Sequence, residues 1–176
     1  MKLLVARHGQ TQWNVDKRIC GRTDLPLTEV GLAQAEVLAE NAVGCNIDVI
    51  IASPMIRAQQ TAAAVSRKIG IPVMTDDRLI EQDYGEYEGK DRLTQAFVDN
   101  KRQFAKRCPG GESTLQLGYR VYSFLEELKG KYTDQTVLVV CHGGIMRVIR
   151  SYFEDMSNEE YANYCADNAV LMTYEL

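Results

Sequence analysis

The sequence predicts an α/β fold whose sheet is largely parallel and covered by helices on both faces. Three observations predict it. Short runs of consecutive apolar residues recur along the chain, too brief for helices and without the alternation of a half-exposed strand. Between them lie segments with apolar residues at helical spacing, several opened by capping residues. The two kinds of segment alternate, as a parallel sheet with crossover helices requires.

Leu3-Leu4-Val5-Ala6 reads as a buried parallel strand. Residues 9–27 are a long polar connection containing Pro26, and Thr28 reads as the N-cap of a helix carrying Leu32, Ala35, Leu38, Ala39 and Ala42. Residues 48–52 form the second buried strand. Ser53 then caps and Pro54 opens a helix running to Ile69, with Gly70 closing it and Pro72 barring its continuation. Val73 and Met74 suggest a short third strand. Residues 78–89, with clustered acids and glycines, read as a structured loop, and 91–107 as a polar, basic helix. Cys108-Pro109-Gly110-Gly111 breaks the chain. Ser113 and Gln116 form a capping box for a helix with the stripe Leu117, Val121, Phe124, Leu125 and Leu128, closed by Gly130. Residues 136–141 are the clearest strand, followed by a helix over 144–153. Ser157 and Glu160 open a short helix, and residues 169–174 are a last strand. With no repeat or linker, residues 1–176 are expected to form a single domain.

The composition is that of an ordinary globular protein, 45% hydrophobic and 25% charged. A net charge of −4 argues against nucleic-acid binding, which rewards a basic surface. The five cysteines, Cys20, Cys45, Cys108, Cys141 and Cys165, are odd in number and contain no C-x-x-C pair. Neither a disulfide framework nor a zinc site is expected, and a reducing, cytoplasmic location fits. Arg7 and His8 end the opening apolar run too early for a signal peptide, and no stretch is long enough to span a membrane.

The chemistry is expected at the strand ends, where ligands bind in such sheets. The only two histidines, His8 and His142, each follow an apolar run and precede a glycine. Arg57 lies in the first helical turn after the second strand. Arg7, His8, Arg57 and His142 should therefore converge on one cleft suited to a small dianion, arginine offering a fork of paired donors to phosphate. The amino end of the helix after His142 would add N–H donors. A neutral imidazole at His8 can attack phosphorus, and Gly9 is expected to let the backbone approach the phosphate closely. A protonated His142 would help to hold the equatorial oxygens. The leaving group needs a proton from a carboxylic acid, for which Glu81, Asp83, Glu86 and Glu88 form the pool. Lys101, Arg102, Lys106 and Arg107 read as a solvated basic face, with steering of acidic substrates as the sharper reading. Cys141 reads as a small core hydrophobe.

These residues sit in blocks that resemble the histidine phosphatase superfamily, the phosphoglycerate-mutase-like proteins. The blocks are Arg7-His8-Gly9-Gln10-Thr11 with Asn14, residues 21–28 with Gly31, Gln34 and Ala35, residues 53–62, the set Leu79, Glu81, Tyr84, Gly85, Glu88 and Gly89, then residues 110–113 and His142-Gly143-Gly144. The resemblance implies a three-layer α/β sandwich whose sheet has about six strands, one of them antiparallel. It implies His8 as the phosphorylated nucleophile, Glu81 as proton donor and acceptor, and Arg7, Arg57 and His142 as ligands of the phosphoryl group. Asn14, Gly21 and Gly143 would assist phosphate binding, and no metal or other cofactor is implied.

Three departures favour the phosphatase branch over the mutases. Only residues 90–110 fill the stretch where similar mutases carry a longer insertion, Gly21-Arg22-Thr23-Asp24 replaces Gly-Trp-x-Asp, and Gly143-Gly144 replaces Gly-Asn. Trp13-Asn14 is mutase-like. The expectation is a metal-independent phosphomonoesterase acting on a small phosphorylated metabolite, similar to α-ribazole phosphatases in length. A cofactor-dependent phosphoglycerate mutase and a catalytically silent phosphate-binding protein are the alternatives. Residues 90–110 and the Arg22-Thr23 region are expected to set the substrate.

Overall fold

The computed structural model describes residues 1–176. Its sheet holds β1 (Lys2–Arg7), β2 (Val49–Ala52), β3 (Val73–Thr75), β4 (Thr136–Cys141) and β5 (Leu171–Glu175), in the order β3-β2-β4-β1-β5. The first four strands run parallel, and β5 lies antiparallel beside β1. The class is the expected α/β sandwich, but the strands number five and not six. The sequence holds five apolar runs of strand length and each becomes one strand, so no residues remain for a sixth.

Both faces of the sheet are covered. Side chains alternate along a strand, so Leu3, Val5, Val137 and Val139 face one core, shared with Leu117, Val121, Phe124 and Leu125 of α5 (Thr114–Lys131) and Ile145 and Ile149 of α6 (Gly143–Phe153). Leu4, Ala6, Leu138 and Val140 face the other, shared with α2 (Glu29–Ala42) and α3 (Ile56–Ile69). The second core is rich in alanine (Ala35, Ala39, Ala58 and Ala62), and such small side chains let α2 and α3 pack closely. No helix is long and apolar enough to cross a membrane.

The capping chemistry behaves as the sequence predicts at Thr28, which accepts from Gly31 N, and at the Ser113–Gln116 and Ser157–Glu160 capping boxes. Gly70 ends α3 at φ +78°, a left-handed position that glycine occupies without steric cost. Three local expectations change. Met55, not Ser53, is the N-cap of α3, which starts two residues after Pro54. α5 runs through Gly130 to Lys131. The basic segment 91–107 yields only a seven-residue helix, α4 (Gln95–Lys101), because Phe97 and Asn100 are its only buried side chains. Short helices α1 (Gln12–Val15) and α7 (Asn158–Asn163) complete the chain.

The strand register brings three polar residues together. Arg7 pairs with Cys141, and Ala52 with Val140. His8, His142 and Ser53 therefore leave the sheet side by side at its carboxyl edge.

Candidate active site

Neighbouring strands lie about 4.8 Å apart, so residues leaving β1 and β4 at the same level must meet. The His8 and His142 ring centroids are 5.1 Å apart, tilted by 59°. His8 is buried, and its Nδ1 lies 2.7 Å from the Gly9 carbonyl. A carbonyl only accepts, so Nδ1 carries the hydrogen and Nε2 keeps its lone pair. Burial, followed by the nearby Arg7 and Arg57 charges, holds the His8 pKa well below the ordinary histidine value. Asn168 Nδ2 donates to the His8 carbonyl at 2.8 Å, and Gly9 N donates to Thr61 Oγ1 at 3.0 Å. Gly9 is needed for a reason other than the expected one. A methyl group there would collide with the Gly31 backbone, so the close approach is to α2.

His142 is fully buried with both ring nitrogens engaged. Arg57 Nε donates to Nδ1 at 3.2 Å, and Nε2 lies 2.8 Å from Ser53 Oγ. Accepting from a guanidinium requires a lone pair on Nδ1, so the free site holds His142 neutral, with the hydrogen on Nε2 donated to Ser53. Burial first, and Arg57 second, lower its pKa accordingly. Ser53 Oγ also accepts from Met55 N at 3.4 Å, so the expected capping residue serves His142 as well as the helix start.

Arg57 is fully buried behind the histidines. Its Nη1 donates to Thr23 O at 3.0 Å and its Nη2 to Gly21 O at 2.6 Å. Those carbonyls are aimed by Glu88. One carboxylate accepts from Gly21 N (3.1 Å), Arg22 N (2.9 Å), Thr23 N (3.3 Å) and Thr23 Oγ1 (2.8 Å). Gly21 is thus a support for Arg57 and not a phosphate contact, since its N–H is already committed to Glu88. Arg22 reaches Asp83 at 3.8 Å and Glu112 at 4.0 Å, so the Arg22-Thr23 region braces the site and lies outside the cavity wall.

Arg7 donates through Nη1 to Ala166 O at 2.6 Å, while its Nε is buried with no partner. An orphaned donor on a cation is costly unless an anion arrives to meet it. Glu81 accepts from Gln82 N at 2.8 Å and, through the other oxygen, from Gly144 N at 2.9 Å. The latter bond ties the acid to the amino end of α6. A Cβ on residue 144 would overlap the Glu81 carboxylate, which gives glycine at that position a physical reason. Arg120 secures the acid loop from beneath, donating to Glu81 O at 3.2 Å and to Glu112 Oε1 at 2.7 Å. Of the acid pool, Glu81 alone lines the cavity. Asp83 bonds Gly85 N, Glu88 is spent on residues 21–23, and Glu86 is exposed.

The cavity has a volume of about 450 Å³. Arg7, His8, Asn14, Glu81, Gly143 and Gly144 form its inner end, and Arg57 and His142 lie directly behind His8. Asn14 Oδ1 accepts from Thr11 N at 3.0 Å, which turns the amide donors elsewhere. Arg18, Arg92, Lys101 and Arg147 stand around the outer part with Leu93, Phe97 and Val98. Glu88 was visible in the sequence only as a rival acid, and Asn168, Arg120 and three of these four outer cations were not visible as functional. Each acts through contacts distant in the chain and belongs to no spacing pattern. Cys141 is buried, and burial pushes its thiol pKa far up, as a core hydrophobe should show.

Histidines and arginines gathered at parallel strand ends around a phosphate-sized recess define an α/β protein built to handle phosphoryl groups. The model for the histidine phosphatase superfamily (branch 1) matches residues 3–176, and the chain belongs to that superfamily. It is similar to phosphoserine phosphatase 1 of Hydrogenobacter thermophilus, 31% identical over 176 residues, covering 96% of this chain and 83% of the relative. A Yersinia pestis protein assigned as a phosphoglycerate mutase is 35% identical over 150 residues, covering 81% and 70% of the two chains. The solved structure of a mycobacterial glucosyl-3-phosphoglycerate phosphatase superposes with a TM-score of 0.86 at 26% identity, covering 98% of this chain and 88% of that one.

Proposed function

We propose that the protein is a phosphomonoesterase that hydrolyses a small phosphorylated metabolite through a phosphohistidine at His8. The observation carrying this reading is the His8 tautomer. With Nδ1–H held by Gly9 O, Nε2 is an available nucleophile in the same cavity as Glu81. Nε2 attacks phosphorus as the ester P–O bond breaks. Glu81, in its acid form, gives its proton to the leaving oxygen. Glu81 then takes a proton from water as that water attacks the phosphohistidine, the P–N bond breaks, and inorganic phosphate leaves. Arg7, Arg57, Asn14 and the Gly143 N–H would stabilise the equatorial oxygens, the electrostatic positioning on which phosphoryl transfer mainly depends. A proton gained by His142 when the dianion arrives would add a further charge.

The relatives support the substrate class, since their names are those of enzymes for phosphoserine, phosphoglycerate and a glucosyl phosphoglycerate. Metal independence is supported by the donor set, since no three His, Cys, Asp or Glu side chains converge. Release of phosphate from p-nitrophenyl phosphate in excess EDTA, with acid-labile label trapped on His8, is the expected result. The His8→Ala protein should lose activity by on the order of 10⁴-fold or more. Normal turnover by that variant overturns the nucleophile. Interconversion of 2- and 3-phosphoglycerate, stimulated by 2,3-bisphosphoglycerate and faster than hydrolysis, replaces this reading with the mutase one.

A further inference from the structure

The outer cavity carries a charge imbalance that hydrolysis of a simple phosphate ester does not use. On a chain of net charge −4, five cations line one cavity: Arg7, Arg18, Arg92, Lys101 and Arg147. The one acidic side chain in that wall is Glu81. None of the five cations lies within salt-bridge distance of any carboxylate. Elsewhere the chain pairs its surface cations readily, as with Arg67–Glu36 and Lys68–Glu40, each at 2.6 Å.

The outer cations rest instead on neutral groups. Lys101 Nζ donates to Ala162 O at 2.8 Å and lies 5.6 Å from the Phe97 ring centre. Arg147 donates to Tyr164 O from Nη2 at 3.1 Å and lies 5.6 Å from the Tyr161 ring centre. Together with Arg7 on Ala166 O, three cations are thus arrayed along alternate carbonyls of residues 162–166. Carbonyls orient such groups without neutralising them. Like charges held together are mutually repulsive, and an anion of the right reach would relieve that.

We propose that the leaving group of the substrate bears a negative charge of its own, a carboxylate or a second phosphate, received by Lys101 and Arg147 with Arg92 at the cavity mouth. The phosphate at His8 takes Arg7 and Arg57, so of the five lining cations these three and the exposed Arg18 remain for the other end of the molecule. The buried Phe97 and half-buried Val98 beside them limit water and strengthen the interaction. Lys101 already registers the repulsion within the array, its pKa pushed down to about 8 by burial and then by Arg147. The basic run 101–107 is therefore divided: Lys101 turns inward, while Arg102, Lys106 and Arg107 remain exposed as a solvated face.

The inference rests on the cavity being a phosphomonoester site, and a binding measurement separates the two. The His8→Asn protein, unable to turn over its ligand, is titrated calorimetrically with 3-phosphoglycerate against glycerol 3-phosphate, and with fructose 1,6-bisphosphate against fructose 6-phosphate. The doubly charged member of at least one pair should bind about tenfold more tightly, and Lys101→Met or Arg147→Met should remove that advantage. Arg92→Met, at an exposed position, checks the same loss without disturbing packing. The pair that shows the advantage tells carboxylate from phosphate. Equal affinities within both pairs, or an advantage untouched by all three variants, overturn the proposal even if hydrolysis is confirmed. A persistent advantage in a protein whose wild type hydrolyses nothing upholds the anion site and sinks the hydrolase reading.

Discussion

The inner and outer ends of one cavity are built in opposite ways. At the inner end Arg57 and His142 are wholly buried, and each polar atom is fixed by a named partner: His142 between Arg57 and Ser53, Arg57 on two carbonyls that Glu88 aims. At the outer end Arg18 and Arg92 are exposed, and Lys101 and Arg147 are only half-buried, held by carbonyls and ring faces. Preorganised donors cost no rearrangement at the moment of reaction, so the fixed end suits the step common to all phosphate esters. The looser end suits recognition of whatever differs between them.

Breaking the inner end should have the largest effect. Arg57→Ala removes a cation proposed to hold the phosphate, frees His142 Nδ1 and abandons the Gly21 and Thr23 carbonyls. It should lower kcat by on the order of 10²–10³-fold in steady-state assays with p-nitrophenyl phosphate. A loss confined to KM would mean that Arg57 only binds ground-state phosphate.

Gly144→Ala tests the junction between the two ends. The new methyl must displace the Glu81 carboxylate from the Gly144 N–H. A fall in kcat of about tenfold is expected, a partial loss of the roughly 10²–10⁴-fold that general acid–base catalysis contributes. Substrates with a highly acidic leaving group, which need less protonation, should lose less. An equal loss on all leaving groups would show that the methyl acts on the fold and not on the acid.

The smallest effect separates the two ends by pH. His8 and His142 have pKa values held well below the ordinary range, so both imidazoles of the free site stay neutral across the usual assay window. Lys101 titrates at about 8, facing Arg92, Arg102 and Arg147, with Cys165 nearby. Affinity of the His8→Asn protein for the doubly charged ester should therefore decline severalfold between pH 7 and 9, and the anion, once bound, should raise the Lys101 pKa. The same depressed histidines set a sign for stability. Between their folded pKa values and about 6.5 the unfolded chain binds more protons, so stability falls as pH drops from about 6.5 through that range. A melting temperature unchanged from pH 7 to 5 would contradict their burial as neutral groups.

The inner end was legible in the sequence because strand ends and their next residues are local facts. Apolar runs place His8 and His142, and parallel pairing forces them together. The acid was less legible: spacing left four candidates, and only the family resemblance chose Glu81. Ser53 shows the limit of a capping signal, since the hydroxyl that reads as a helix start also serves a histidine 89 residues away. The sixth strand came from the resemblance, whereas the apolar runs by themselves number five. The outer end was legible only in part: residues 90–110 were expected to set the substrate, and they hold Arg92 and Lys101. Arg18 and Arg147 join them from other segments with no shared period, and whether a cation is paired depends on three-dimensional neighbours.

Gly9 and Gly31 belong to one close contact of backbones, in which a methyl on Gly9 would strike Gly31 and a methyl on Gly31 would strike the Gln10 backbone. His8 therefore inherits its position from the first turn of a helix that lines no part of the cavity. Anyone diversifying this enzyme toward new chemistry should hold residues 9 and 31 invariant as strictly as the histidine itself. The randomised codons belong at 92, 93, 97, 98, 101 and 147, where variety alters what enters and spares the machinery beneath.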